Sequence, residues 1–93
     1  MAQSAAEPLK SVRLEFPDND KVRALCGAHS EHLKLIEKRL GVQIGLRGGQ
    51  IVVATAEEAR LRLAEGLLKE LYDLVVEGYP LYLEDVDQAT KLA

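Results

Sequence analysis

The apolar residues of this chain change period three times between Val12 and Val75, and each change marks an element boundary that few folds accommodate. Val12-Arg13-Leu14-Glu15-Phe16 alternates apolar and charged side chains, the pattern of a half-buried strand. Pro17 ends it, because proline has no N–H to give a ladder. Asp18 is placed to cap a helix, with Asp20 favourable near its positive end; Val22, Leu25 and Cys26 form its apolar stripe and Gly27 its stop. Ser30 is a second N-cap candidate, for a helix with Leu33, Ile36 and Leu40 on one face and Gly41 at its end. The period then returns to two. Val42, Ile44 and Leu46 alternate with Gln43, Gly45 and Arg47, Gly48-Gly49 supplies a turn, and Ile51-Val52-Val53 is a β-branched run, so the pair reads as a hairpin. Thr55-Ala56-Glu57-Glu58 fits a capping box in which Glu58 reaches back. It opens a long helix carrying Ala64, Leu67, Leu68, Leu71, Leu74 and Val75 toward Gly78, and Pro80 forbids simple continuation. Glu84 to Leu92 reads as three short turns with Val86 and Ala89 on one side.

The expected order is β-α-α-β-β-α plus a short C-terminal helical tail. That is an α+β domain, with one three-stranded sheet and its helices packed on a single face. Ninety-three residues hold one core, and with four aromatic residues and no Trp that core is aliphatic. Residues 1–9, small and polar, read as a disordered start, residues 10–80 as the domain, and residues 81–93 as the tail.

The net charge of −3 hides an asymmetry. Lys10 to Gln50 carries eight Lys and Arg against five Asp and Glu, whereas Ile51 to Ala93 carries four against nine. Only the first half offers phosphates a favourable field. No apolar run approaches the roughly 20 residues of a membrane span, and Met1 to Pro8 lacks the basic and apolar regions of a secretory signal. A single cysteine, Cys26, forms no intrachain disulfide, and a cytoplasmic location is the expectation.

The segment between the two short helices is the most informative. Cys26-Gly27-Ala28-His29-Ser30-Glu31-His32-Leu33-Lys34-Leu35-Ile36, followed by Gly41-Val42-Gln43-Ile44, resembles the core of the KH domain. There an I-G-x-x-G loop precedes I-K-x-I on a helix and then G-x-x-I. Gly27, Leu33, Lys34, Ile36, Gly41 and Ile44 stand at the matching offsets, and Ser30 takes the place of the second loop glycine. More specifically, the chain is similar to the N-terminal domain of the PhoH family, the phosphate-starvation-inducible P-loop ATPases. Leu14-Glu15-Phe16 with Asp18-Asn19 carries that likeness, with Gly27 to Lys34, Leu40 to Ile44, Arg47-Gly48 and the stretch Leu81 to Leu92. The resemblance implies a KH-like domain of a protein whose ATPase domain would use ATP and Mg. No G-x-x-x-x-G-K-[ST] loop is present, so neither the cofactor nor catalysis is expected in this chain itself.

The same resemblance implies that Gly27, Ala28, His29 and Ser30 form a loop against the sugar–phosphate chain of single-stranded RNA. Glycine permits close approach, and the helix start aims free N–H groups at phosphates. Lys34 and Lys38 follow on one helix face, and Arg47 approaches from the end of the strand. Against these stand plainer readings: a loop that only connects, lysines on a solvated face, Arg47 as part of a turn. His29 and His32 are too few for zinc, for which Cys26, on an apolar stripe, supplies no ligand. Tyr72, Tyr79 and Tyr82 read as packing the tail or docking a following domain. RNA binding, with RNA presented to an ATPase domain, is the leading expectation; a protein-docking or homo-oligomerisation module is the alternative.

Overall fold

A computed structural model describes residues 9–92, and the stretch expected to be a disordered start lies, apart from Leu9, outside the described residues. The elements are β1 (Lys10–Glu15), α1 (Asn19–Cys26), α2 (Glu31–Leu40), β2 (Gln43–Arg47), β3 (Gln50–Thr55), α3 (Glu58–Val76) and α4 (Leu83–Leu92), with a 3₁₀ turn at Ala28–Ser30. The strands form one antiparallel sheet in the order β1-β3-β2. The β-branched run therefore takes the centre, hydrogen-bonded on both sides.

Register sorts the sheet's two faces. Val12 and Ile44 both oppose Val53, and Leu14 and Leu46 both oppose Ile51. Leu14, Ile51 and Val53 are buried under the helix layer with Leu25, Ile36 and Leu68. On the other face Ser11, Arg13, Glu15, Gln43, Gly45 and Arg47 meet solvent. The architecture is the expected α+β arrangement, with the β-α-α-β-β-α order intact.

The ends of the elements follow local chemistry, with one exception here. Asp18 caps α1 as expected: its Oδ1 accepts from the N–H of Asp20 at 3.0 Å and of Lys21 at 3.4 Å. Gly41, left-handed at φ 69° and ψ 42°, closes α2. The capping box at Thr55 does not form. Thr55 remains in β3, its hydroxyl accepts from Glu57 N–H at 3.3 Å, and α3 begins only at Glu58. Glu58 points instead to Arg62 and Lys10, whose hydrogen bonds, Arg62's first, and then their charges hold its carboxyl below the usual range. At the far end Gly78, at φ 95°, lets Tyr79 N–H reach Leu74 C=O at 3.0 Å, a Schellman closure.

The tail is a regular helix. Val86 is fully buried in the shared core, Asp85 reaches back to Tyr82 N–H at 2.9 Å, and Arg39 of α2 lies 2.5 Å from Asp87. Two sequence expectations change. Leu74 is 41% exposed, because at about 100° per residue it stands on the flank of the α3 stripe rather than its centre. Tyr72 is buried and stacks on Phe16 with centroids 4.1 Å apart, so it secures β1 rather than the tail. Among the described residues no helix is long and apolar enough to cross a membrane.

Candidate nucleic-acid interface

The link between α1 and α2 is the one place where non-glycine residues hold a left-handed backbone among the described residues. His29 lies at φ 54°, ψ 30° and Ser30 at φ 58°, ψ 31°, just after Gly27 at φ 80°. Each such residue costs on the order of 1 kcal/mol because its Cβ crowds a carbonyl. The expected N-cap at Ser30 is therefore absent. A cap needs an extended backbone to turn its oxygen toward the helix, and Ser30 makes no capping hydrogen bond. The position asks for positive φ, which glycine would adopt without the Cβ penalty.

What holds the loop in this shape is a residue whose structural part the sequence reading missed. His32 is 3% exposed, and its Nδ1 donates to Leu25 C=O at 2.9 Å, tying the first turn of α2 to the end of α1. Its ring lies so close to Gly27 that a Cβ there would fall 2.8 Å from ring carbons. Gly27 is thus required twice, by its dihedral and by the imidazole. The signal was available, since residues 32, 36 and 40 share the apolar spacing of α2. Cys26 is buried beside it in sequence, and burial pushes its thiol above the ordinary value.

Ala28 and His29 are exposed, Gly27 and Ser30 half-buried. Lys34 and Lys38 follow on the solvent side of α2, four residues apart and so on one flank. The structure thus gathers six of the seven expected residues on one loop and the helix it opens. Arg47 stands apart. It ends β2 at the hairpin tip, in register with the outward-facing Gln43 and Gly45. That tip touches the start of α1 through Gly49 and Asn19, whereas the loop follows the end of α1, about 12 Å further along the helix. Among the described residues no carboxylate lies within 4.0 Å of the Lys34, Lys38 or Arg47 head groups.

Between Glu37 of α2 and the β2 edge lies a shallow cleft, lined on the strand by Gln43, Ile44, Gly45 and Arg47. Among the described residues α2 is the only helix that packs on β2, and none of them covers the strand's hairpin end. Leu46, expected to be buried by alternation, is 49% exposed for that reason. The β2 edge facing α2 is partly taken: Glu37 accepts from Ile44 N–H at 2.6 Å. Leu46, two residues on, turns its own backbone groups the same way.

No family model matches the sequence. Curated relatives do. The chain is 32% identical over 87 residues, 94% of its length, to a PhoH-like protein of Bacillus subtilis (strain 168). It is 33% identical over 85 residues, 91% of its length, to a PhoH-like protein of Mycobacterium leprae (strain TN). It is similar to one part of PhoH-like proteins. The matches take up 27% and 24% of those two proteins, so the chain spans about a quarter of the PhoH-like relatives' length.

Proposed function

We propose that this chain is the KH-like, single-stranded RNA-binding module of a PhoH-like protein, and that it presents RNA to an ATPase domain of that protein. The observation that supports this most directly is the loop at Gly27–Ser30. Its positive-φ backbone leads into the amino end of α2, which no side chain caps. Ser30 and Glu31 spend their N–H groups on Gly27 and Ala28 C=O, so it is the helix dipole that favours phosphate oxygens there, offset in part by Glu31 in the first turn, and Lys34 and Lys38 extend the favourable field along the helix. The uncovered end of β2, with Leu46, offers a base an apolar surface and edge hydrogen-bonding groups on the other side of the cleft. The likeness to PhoH-like proteins runs through nearly the whole chain and supplies the larger protein in which such a module would sit.

The test is a titration with short fluorescent single-stranded RNAs at low and moderate salt. Ala28→Asp with His29→Asp sets two carboxylates on the exposed loop, and aspartate tolerates the left-handed backbone at position 29. This variant is expected to stay folded by circular dichroism and to lose RNA binding. Undiminished affinity in the folded variant overturns the proposal.

A further inference from the structure

We propose that the seam between α3 and α4 docks a protein partner whose contact surface is apolar at its centre and carries Lys and Arg at its rim. This goes beyond RNA binding and concerns a different face of the molecule.

The seam exists because α4 leans on α2. Val86 is buried in the common core and Asp87 pairs with Arg39, which leaves the side of α4 toward α3 open. Two shallow cavities of about 370 Å³ each lie along it and meet at Ala89 and Leu92. One is walled on α3 by Leu63 and Leu67, the other by Leu74 and, past the Gly78 turn, Tyr79. Leu63, Leu74 and Tyr79 are 40%, 41% and 60% exposed. Single exposed leucines are ordinary; a row of them along a groove between two helices marks an interaction surface.

Charge selects the occupant. From Glu70 to Thr90 there is no Lys or Arg; Arg62, which lines the first cavity, is spent on Glu58 at 3.0 Å, and Lys69 and Lys91 at the two ends of that stretch pair with Glu65 and Asp87. Glu70 lines one cavity and Asp85 the other, while Asp73, Glu77 and Glu84 stand nearby along the same helices. All five are exposed, and among the described residues none has a cation within 4.0 Å. Such a rim repels nucleic acid, an anionic membrane surface and a second copy of the same face. It attracts a basic protein surface whose apolar side chains fill the groove.

The probe is an amphipathic helical peptide with leucines on one face and lysines on the other, compared with a counterpart carrying glutamates in place of the lysines. Titrated into the isotope-labelled chain, the lysine peptide is expected to bind saturably, with amide shifts clustered on residues 63–92. Leu63→Ser with Leu74→Ser removes side chains that are already near half-exposed, so the fold should hold and affinity should fall at least about tenfold. As a second handle that does not touch packing, Glu70→Lys with Asp73→Lys is expected to move the preference to the glutamate peptide. The inference is overturned if the lysine peptide fails to bind, if its shifts map elsewhere, if both peptides bind equally, or if either folded variant leaves the preference and affinity unchanged.

Discussion

Lys34 and Lys38 stand in solvent on α2 much as Glu70, Asp73 and Glu77 stand in solvent on α3, yet the two helix faces carry opposite charge on unlike local structure. The α2 face begins in a strained loop whose backbone conformation is held from below by His32, and it ends in a cleft beside an uncovered strand edge. The α3 face carries no unusual backbone; it opens on an apolar seam. One core of Leu25, Ile36, Ile51 and Leu68 serves both. The difference teaches that on this small scaffold the specialised surface is the one where local structure is costly, and the adaptable one is where the helices simply fail to cover each other. The proposed RNA binding and protein docking would then not compete, since they are assigned to faces of opposite charge.

The sharpest way to break this contrast is through His32. Replacing it with Ala deletes a buried ring and leaves Leu25 C=O without its partner. Urea denaturation should show a loss of about 2–4 kcal/mol. Leu74→Ser, on the other face, should cost less than about 1 kcal/mol, since its side chain is already near half in water. Equal losses at the two positions would mean that the loop is no more dependent on its support than the seam is.

The charge half of the contrast is read from salt dependence. Each single-strand phosphate contact contributes about 0.7 to the slope of log affinity against log salt. Lys34→Ser with Lys38→Ser should flatten that slope by about 1.4 and weaken RNA binding at low salt. Arg47→Ser separates two arrangements. It lowers the slope further, by about 0.7, if RNA spans from the loop to the hairpin tip, and leaves it unchanged if RNA stays on α2. Glu37→Gln should strengthen binding modestly by removing a carboxylate from the cleft while keeping an acceptor for Ile44 N–H. Chemical shifts that gather on α3 when RNA is added would remove the contrast altogether.

How much of this was legible in the sequence depends on how far each feature reaches. Strand alternation, the Asp18 cap and the glycine stops are settled within a few residues, and they came through intact. Arg47 was legible too, since parity with Gln43 and Gly45 already set it on the wet side of β2. What escaped was decided by distant neighbours. Leu46 keeps the strand alternation but lies beyond the reach of α2, and Leu74 keeps the helical spacing but stands on the flank of its stripe, beside a groove that α4 leaves open. Thr55 has the composition of a capping box, yet pairing opposite Lys10 keeps it in the sheet. His32 was set aside as half of a pair too small for zinc; the spacing of residues 32, 36 and 40 pointed to its burial, but its bond to a backbone carbonyl seven residues earlier has no signature in sequence.

Ser30 is the smallest test and the most discriminating, because two readings of it predict opposite signs. A serine that caps α2 loses roughly 1 kcal/mol on replacement by Ala and a few tenths on replacement by Gly. A serine held at φ 58° without a capping bond has no cap to lose. For it, Ser30→Ala should be close to neutral, since both residues carry the Cβ that crowds the left-handed backbone. Ser30→Gly relieves that crowding by about 1–2 kcal/mol, against a greater loss of chain entropy of roughly 0.5–1 kcal/mol. The expected net is a gain of up to about 1.5 kcal/mol, measured by thermal or urea denaturation. RNA provides the second readout. If phosphates approach the backbone here, removing the Cβ leaves affinity unchanged or raises it, whereas a loop that only connects shows stabilisation with no RNA response to this or to the aspartate variant. A loss of stability in both Ser30→Ala and Ser30→Gly, in the order that capping predicts, would show that the hydroxyl does bond to α2 and that the loop is a capped turn rather than an open cradle.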